Sequence, residues 1–181
     1  MIIGLVGSLA AGKGTVTRYL IDTYGAKSVR FSDPLRDIIH RLYHTETREY
    51  MSHLATFLRS EFGDDILVRV LLHDVDATPG KLFVLDGLRY KDEYAVLSRR
   101  DDFQLWAVDT ALETRYQRII KRGENAAETE LTLEQFTAQH KLPTELFTPE
   151  LMKKADSTID NNGDLKALYA QVDSLARKLN L

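Results

Sequence analysis

Gly7 and Gly12 frame a short loop that runs into Lys13-Gly14-Thr15, preceded by the apolar run Ile2–Val6 and followed by a helix-like pattern. Glycines at this spacing let a backbone curl closely around a polyphosphate, with N–H groups converging at a helix N-terminus. A lysine at the helix start adds positive charge for the β- and γ-phosphates. Gly7, Ala10, Ala11, Gly12, Lys13, Gly14 and Thr15 are therefore candidate contacts for a bound nucleotide. The usual form of this loop, G-x-x-x-x-G-K-[ST], places a hydroxyl directly after the lysine. Here Gly14 stands there and the hydroxyl comes one residue later, at Thr15.

Other residues of the same chemistry lie downstream. Asp86 ends the apolar run LFVLD. An acid there, beside a phosphate loop, is placed to act on Mg²⁺, although strand-end acids also serve as caps and turns. Arg36 falls one turn inside a helix opened by Ser32-Asp33-Pro34. Its guanidinium fork suits a phosphate better than an ammonium does, and pairing with Asp33 or Asp37 is the alternative. Asp33 is the natural general base if the group being phosphorylated is a hydroxyl; a phosphate oxygen would need none. Arg115, Arg118 and Arg122, at spacings of three and four, share part of one helix face. Such a face can stabilise the charge on a transferring phosphoryl group, or be a solvated basic surface. Asn161-Asn162-Gly163-Asp164 has the composition of a turn and helix cap.

The elements that must position these residues are readable from periodicity. Short apolar runs predict strands at 2–6, 27–31, 82–86, 103–108 and 156–160. Helical patterns occupy 12–23, 35–43, 50–61, 64–76, 92–99, 111–122 and 164–179. The polar stretch 123–149 reads as a loop or lid with one short helix near 133–140. Strands alternating with helices imply a single α/β domain with a mainly parallel sheet and right-handed crossovers.

Several of these stretches carry a family resemblance. G-x-x-x-x-G-K-G-T resembles the phosphate loop of nucleoside monophosphate kinases, in which glycine follows the lysine. That resemblance implies that Thr15 contacts the α-phosphate and that the metal is held largely through water. FSDPLR (31–36) resembles the G-D-[ML]-[LI]-R element that grips the acceptor monophosphate, which implies that role for Arg36, and DGLR (86–89) resembles D-G-[FY]-P-R, which implies an acceptor-phosphate role for Arg89. FLRSEFG (57–63) is similar to a segment of small kinases related to dephospho-CoA kinase, which adds Arg59 to the acceptor set. The basic helix before 123 resembles the one leading into a kinase lid, whose arginines, here Arg118 and Arg122, close on the phosphates. ADSTIDNNGDLKALYAQ (155–171) resembles the C-terminal element of dephospho-CoA kinases, A-D-x-[VI]-I-x-N-x-G-x-x-x-x-L-x-x-Q. There the loop cups adenine, implying base contacts from Asn161, Asn162 and Gly163. The implied architecture is a three-layer α/β/α P-loop NTPase fold with a mainly parallel five-stranded sheet. A helical acceptor-binding segment would lie over about 33–76 and a lid over about 122–150. The implied cofactors are ATP and Mg²⁺.

Composition narrows the remaining possibilities. With no cysteine there are no disulfides, thiolate metal sites or cysteine nucleophiles. The five histidines show no metal-ligand spacing. A net charge of −3 gives no reason to expect nucleic acid or an anionic membrane as partner. The apolar N-terminal run is too short for a membrane span or a signal segment, so a cytoplasmic setting is the default expectation. Three functions follow for comparison. The first is a kinase acting on a small phosphorylated acceptor, most naturally a (deoxy)nucleoside monophosphate, with dephospho-CoA the alternative. The second is a nucleotide-dependent ATPase or switch acting on a protein, against which stands the lack of an N-K-x-D element. The third is a binding module that has lost catalysis. Helix faces between 43 and 76 either bury a partner subunit or cap the acceptor pocket, so monomer and homodimer both stand.

Overall fold

The computed structural model describes residues 1–42, 47–122, 131–139, 142 and 145–181, with the side chains of Arg48 and Arg122 outside the description. Five strands form one sheet: β1 (Ile2–Val6), β2 (Lys27–Arg30), β3 (Phe83–Asp86), β4 (Phe103–Asp109) and β5 (Ser157–Asp160). Their order is β2-β3-β1-β4-β5, and every neighbouring pair is parallel. β1 is central and buried along its whole length, which explains its unbroken apolar sequence.

Strand alternation divides the core into two layers. Ile2, Val6, Phe83, Leu85, Phe103 and Leu105 face one side; Ile3, Leu5, Val84, Trp106, Val108 and Ile159 face the other. The second layer is covered by α1 (Lys13–Tyr24) and the C-terminal helix α9 (Leu165–Lys178), through Val16, Leu20, Leu168 and Val172. The first is covered by α2 (Asp33–Leu42), α3 (Arg48–Phe62), α4 (Ile66–Ala77) and α5 (Lys91–Leu97). The result is a three-layer α/β/α P-loop fold. α6 (Leu112–Arg122) and α7 (Leu133–Ala138) lie beyond β4 and pack together.

The topology creates the site. β1 hands the chain to α1 on one face, while neighbouring β3 hands it to α5 on the other. Where adjacent parallel strands send their connections to opposite faces, a crevice opens at their carboxyl ends. Leu5 of β1 is paired with Asp86 of β3, so that crevice has the phosphate loop on one wall and Asp86 on the other.

One element departs from the expectation of a polar loop up to 149. α8 (Thr148–Lys153) is a helix, with Pro149 in its first turn, where proline's fixed φ and missing N–H favour helix entry. Leu151 is fully buried in the first core layer, and Phe136 of α7 is equally buried. The described part of the expected lid is thus anchored in the core, while 123–130, 140–141 and 143–144 lie outside the described residues. Among the described residues no helix is long and apolar enough to cross a membrane. Leu151→Ala should cost roughly 2–4 kcal/mol in urea unfolding; a cost below about 1 kcal/mol would contradict the anchoring of α8.

Candidate functional site

The phosphate loop is built from carbonyls that are engaged by the surrounding protein. Lys13 Nζ donates to Gly7 O at 2.6 Å and to Ser8 O at 3.3 Å. Arg115 Nη1 donates to Leu9 O at 3.2 Å. Ala11 O accepts from both Thr110 Oγ1 (2.9 Å) and Asn161 Nδ2 (2.8 Å). With its oxygens turned to these donors, the loop presents a helix start whose N-cap, Gly12, supplies no side-chain cap. Exposed N–H groups at a helix start suit an anion.

Two glycines of the loop are required sterically. A Cβ at Gly7 would stand 2.5 Å from Val108 O, and one at Gly12 only 2.1 Å from Asn161 Nδ2. Gly12 also has φ +100°, and Ala10 is left-handed at φ 62°. Gly14 is different: a Cβ there would meet nothing within 4 Å. Packing therefore does not exclude a side chain after the lysine.

Two cavities adjoin this loop, and a third shares Asp86 with one of them. One of about 450 Å³ is lined by residues 10–15, Asp86, Arg118 and Ile119. A second, about 270 Å³, lies between Gly12, Thr15, Arg118 and the Asn161–Leu165 turn. A third, about 880 Å³, is lined by Arg30, Arg36, Arg59 and Arg89 with Ser32, Tyr90, Glu93 and parts of α3. Asp86 lines both the first and the third. Burial pulls the Lys13 ammonium below its ordinary pKa, an effect that nearby Asp86 opposes.

The expected site residues are placed as follows. Arg36, Arg59 and Arg89 all reach the large cavity. Arg36 Nη1 donates to Ser32 Oγ (2.7 Å) and Asp33 Oδ1 (3.1 Å). Arg59 pairs with buried Glu93 at 3.0 Å and lies 4.3 Å above the Tyr90 ring. Arg89 Nη1 donates to Glu145 Oε1 at 2.6 Å. Arg118 lines the two smaller cavities, donates to Asn161 O (2.8 Å), and has a buried Nη1 without a partner. Arg122 ends α6, but its side chain lies outside the described residues.

Three of the expected residues have side chains engaged within the protein. Asp33 is absent from the cavity walls; its oxygens accept from Arg30 N (2.9 Å) and Arg36 Nη1. That geometry ties Asp33 to Arg36 and to the end of β2. Asn161 and Asn162, expected to contact a base edge partly through backbone groups, have their side chains engaged within the protein, and Asn161 also lines the small cavity. Asn161 holds Ala11 O, and Asn162 accepts from Ala111 N (2.8 Å) and donates to Asp160 Oδ1 (2.6 Å). Gly163 lines the small cavity without such a commitment.

Sequence reasoning missed Thr110, Glu93 and Glu145. Glu93 sits three residues past Tyr90, where it accepts from the Arg89 and Tyr90 N–H groups, and that N3-type spacing was a local signal. Nothing local marks Glu145, whose partner is 56 residues away.

The site also tests the implied nucleotide. The orphaned Arg118 Nη1, the uncapped α1 N-terminus and the closely fitted Gly12 all suit a polyanion at the loop. Among the described residues no group of three or more His, Asp or Glu could by itself hold a metal. Asp86, a single carboxylate on the wall of the loop cavity, is of the donor type that suits Mg²⁺ carried on phosphates.

Across its length the chain resembles small P-loop proteins. It is 28% identical over 181 residues to a UPF0200 protein of Methanoculleus marisnigri, covering 98% of this chain and 96% of that protein. It is 28% identical over 200 residues to a dephospho-CoA kinase of Nostoc sp., covering 95% and 94%. The crystal structure of shikimate kinase from Bacteroides thetaiotaomicron matches with a TM-score of 0.65 at 16% identity, covering 100% and 99%. No protein-family model matches the chain. The fold is that of a P-loop kinase.

Gly12→Ala and Gly14→Ser separate the two kinds of loop glycine. Gly12→Ala should lose at least about 1–2 kcal/mol of stability from the left-handed backbone alone, and nucleotide affinity with it. Gly14→Ser should stay within about 0.5 kcal/mol of wild type in thermal unfolding. Equal losses would show that the open space at Gly14 is misassigned.

Proposed function

We propose that this protein is an ATP-dependent phosphotransferase acting on a small phosphorylated acceptor, a (deoxy)nucleoside monophosphate in the first instance. One observation carries the reading: the phosphate-loop cavity and the arginine-lined cavity share a single carboxylate, Asp86, on their walls. A phosphoryl donor in the first and an anionic acceptor in the second would meet there. ATP with Mg²⁺ would supply the γ-phosphoryl group and offset the charge of its phosphates.

Each residue then has a role. Lys13, the first turn of α1 and Thr15 would bind the donor phosphates, and Asp86 would help to hold the metal, which would offset their charge. Arg36 and Arg89 hold the acceptor's phosphate, with Arg59 stiffened by Glu93 and Tyr90 alongside. Arg118 faces the transferring group, where its unpartnered Nη1 offers a donor that needs no reorganisation, and Arg122 is assigned to the same step by resemblance alone. A monophosphate oxygen is already deprotonated, so attack needs positioning and charge compensation rather than a base. Gly163 and the small cavity beside α9 would accommodate the nucleotide base.

The Nostoc relative and the size of the arginine-lined cavity, about 880 Å³, favour dephospho-CoA as the second reading. ADP release with ATP and Mg²⁺ against nucleoside monophosphates, dephospho-CoA and a blank decides between them. Stimulation by a monophosphate supports the first reading, stimulation by dephospho-CoA alone the second, and neither would overturn both.

Lys13→Ala should reduce transfer at least about 100-fold while leaving the fold intact by circular dichroism. Arg36→Ala should raise the acceptor KM well above any change in the ATP KM; equal changes would remove it from the acceptor site. Lys13 must be charged to bind phosphate, so its contribution is present below its folded-state pKa and lost as pH rises through it. Because burial lowers that pKa, kcat/KM for ATP should fall on the alkaline side before pH 10.5, the value of an ordinary lysine.

A further inference from the structure

Glu145 is an acid in an unexpected place. It lies just before α8, is only 9% exposed, and its Oε1 accepts from Arg89 Nη1 at 2.6 Å. Its Oε2 is buried and, among the described residues, has no partner. Its charge is felt by both Lys13 and Arg115, the two cations that hold the loop carbonyls. A negative group thus sits among the cations that the proposed reaction would turn toward phosphate.

The other carboxylates paired with cavity arginines are built differently. Glu93 uses both oxygens, accepting from Arg59, from Arg89 N and from Tyr90 N. Asp33 uses both as well, on Arg30 N and Arg36. These two act as braces. Glu145 is only half satisfied, and a buried carboxylate oxygen without a donor is costly. A contact that is close in one oxygen and unsatisfied in the other is one that a better anion can replace.

We infer that Glu145 is an internal anion that occupies Arg89 until a substrate phosphate displaces it, and so sets the affinity and charge selectivity of that subsite. The inference rests on reading Arg89 as an acceptor-phosphate contact. A tethered carboxylate competes at high effective concentration, so the apparent Kd of any anion is raised by the fraction of time Arg89 is held. A dianionic phosphate, which accepts more charge-assisted hydrogen bonds than a carboxylate, wins that competition, while singly charged ligands do not. The same contact keeps an arginine at the site partnered, rather than leaving its charge uncompensated.

The test is calorimetric titration of the intact protein with inorganic phosphate at pH 8, in wild type, Glu145→Gln, Arg89→Ala and the double variant. Glutamine keeps the shape and removes the charge. Glu145→Gln should bind phosphate at least about fivefold tighter than wild type, and the gain should vanish in the Arg89→Ala background. Unchanged or weaker binding by Glu145→Gln would overturn the inference, since a residue that merely orients Arg89 for substrate must weaken binding when neutralised. Absence of phosphate binding by all four proteins would overturn the subsite itself. Should Glu145→Gln fail to fold, Glu145→Asp, which retains the charge but shortens the reach, should also tighten phosphate binding. The kinase reading fails separately, through ATP-dependent transfer that is absent from wild type in the acceptor panel, and the phosphate titration reads Glu145 either way.

Discussion

The carbonyl of Ala11 is the point on which the site turns. Two donors from two different strand ends, Thr110 after β4 and Asn161 after β5, converge on that single oxygen. Each bond is worth about 1 kcal/mol net, but the alternative is a buried oxygen stripped of water, which costs more. The convergence forces Asn161 against Gly12, where a Cβ would come within 2.1 Å of its amide. It follows that the loop's curvature, the position of Lys13 at the start of α1 and the approach of Arg118 to Asn161 O form one coupled arrangement. Elements separated by 150 residues in sequence thereby shape one anion-binding surface.

A second constraint is the handling of positive charge. Each of Arg36, Arg59 and Arg89 at the large cavity carries a carboxylate partner, in Asp33, Glu93 and Glu145 respectively. Guanidinium groups gathered around a cavity repel one another and lose hydration, and paired acids relieve both costs. Burial pushes the Glu93 carboxyl up, toward the neutral form, while two backbone N–H groups and Arg59 work against that shift. Arg115, also buried, is held by backbone carbonyls and lies 5.6 Å over the Phe136 ring. It therefore belongs to the loop's framework rather than to a solvated basic face. Among the described residues two guanidinium nitrogens are buried without a hydrogen-bond partner, Arg59 Nε beside the large cavity and Arg118 Nη1 where the two smaller cavities meet.

Much of the fold was legible because the relevant signals are local. β1 and β3 read as buried strands from continuous apolar runs, and α1 from the glycines and lysine before it, within a residue or two of their observed bounds. α8 is not legible in the sequence, because Thr148 and Pro149 close a polar stretch and their role as a helix start depends on Leu151 reaching the core. The candidate arginines were recognisable by type and by resemblance. Their partners were not, with the exception of Asp33, which lies within one helical turn of Arg36.

By itself the sequence determined an alternating α/β order, the phosphate loop with its unusual Gly14, the strand-end Asp86 and a supply of arginines. These follow from periodicity and from backbone demands that act over a few residues. Tertiary structure decided the strand order that sets Asp86 beside Leu5, and the use of Asn161 and Asn162 as internal ties. It also drew Asp33 away from the cavity and brought Glu145 to Arg89. A side chain's partner depends on which strand ends become neighbours and on what burial leaves unsatisfied. Those are properties of the packed whole, and no window of sequence contains them.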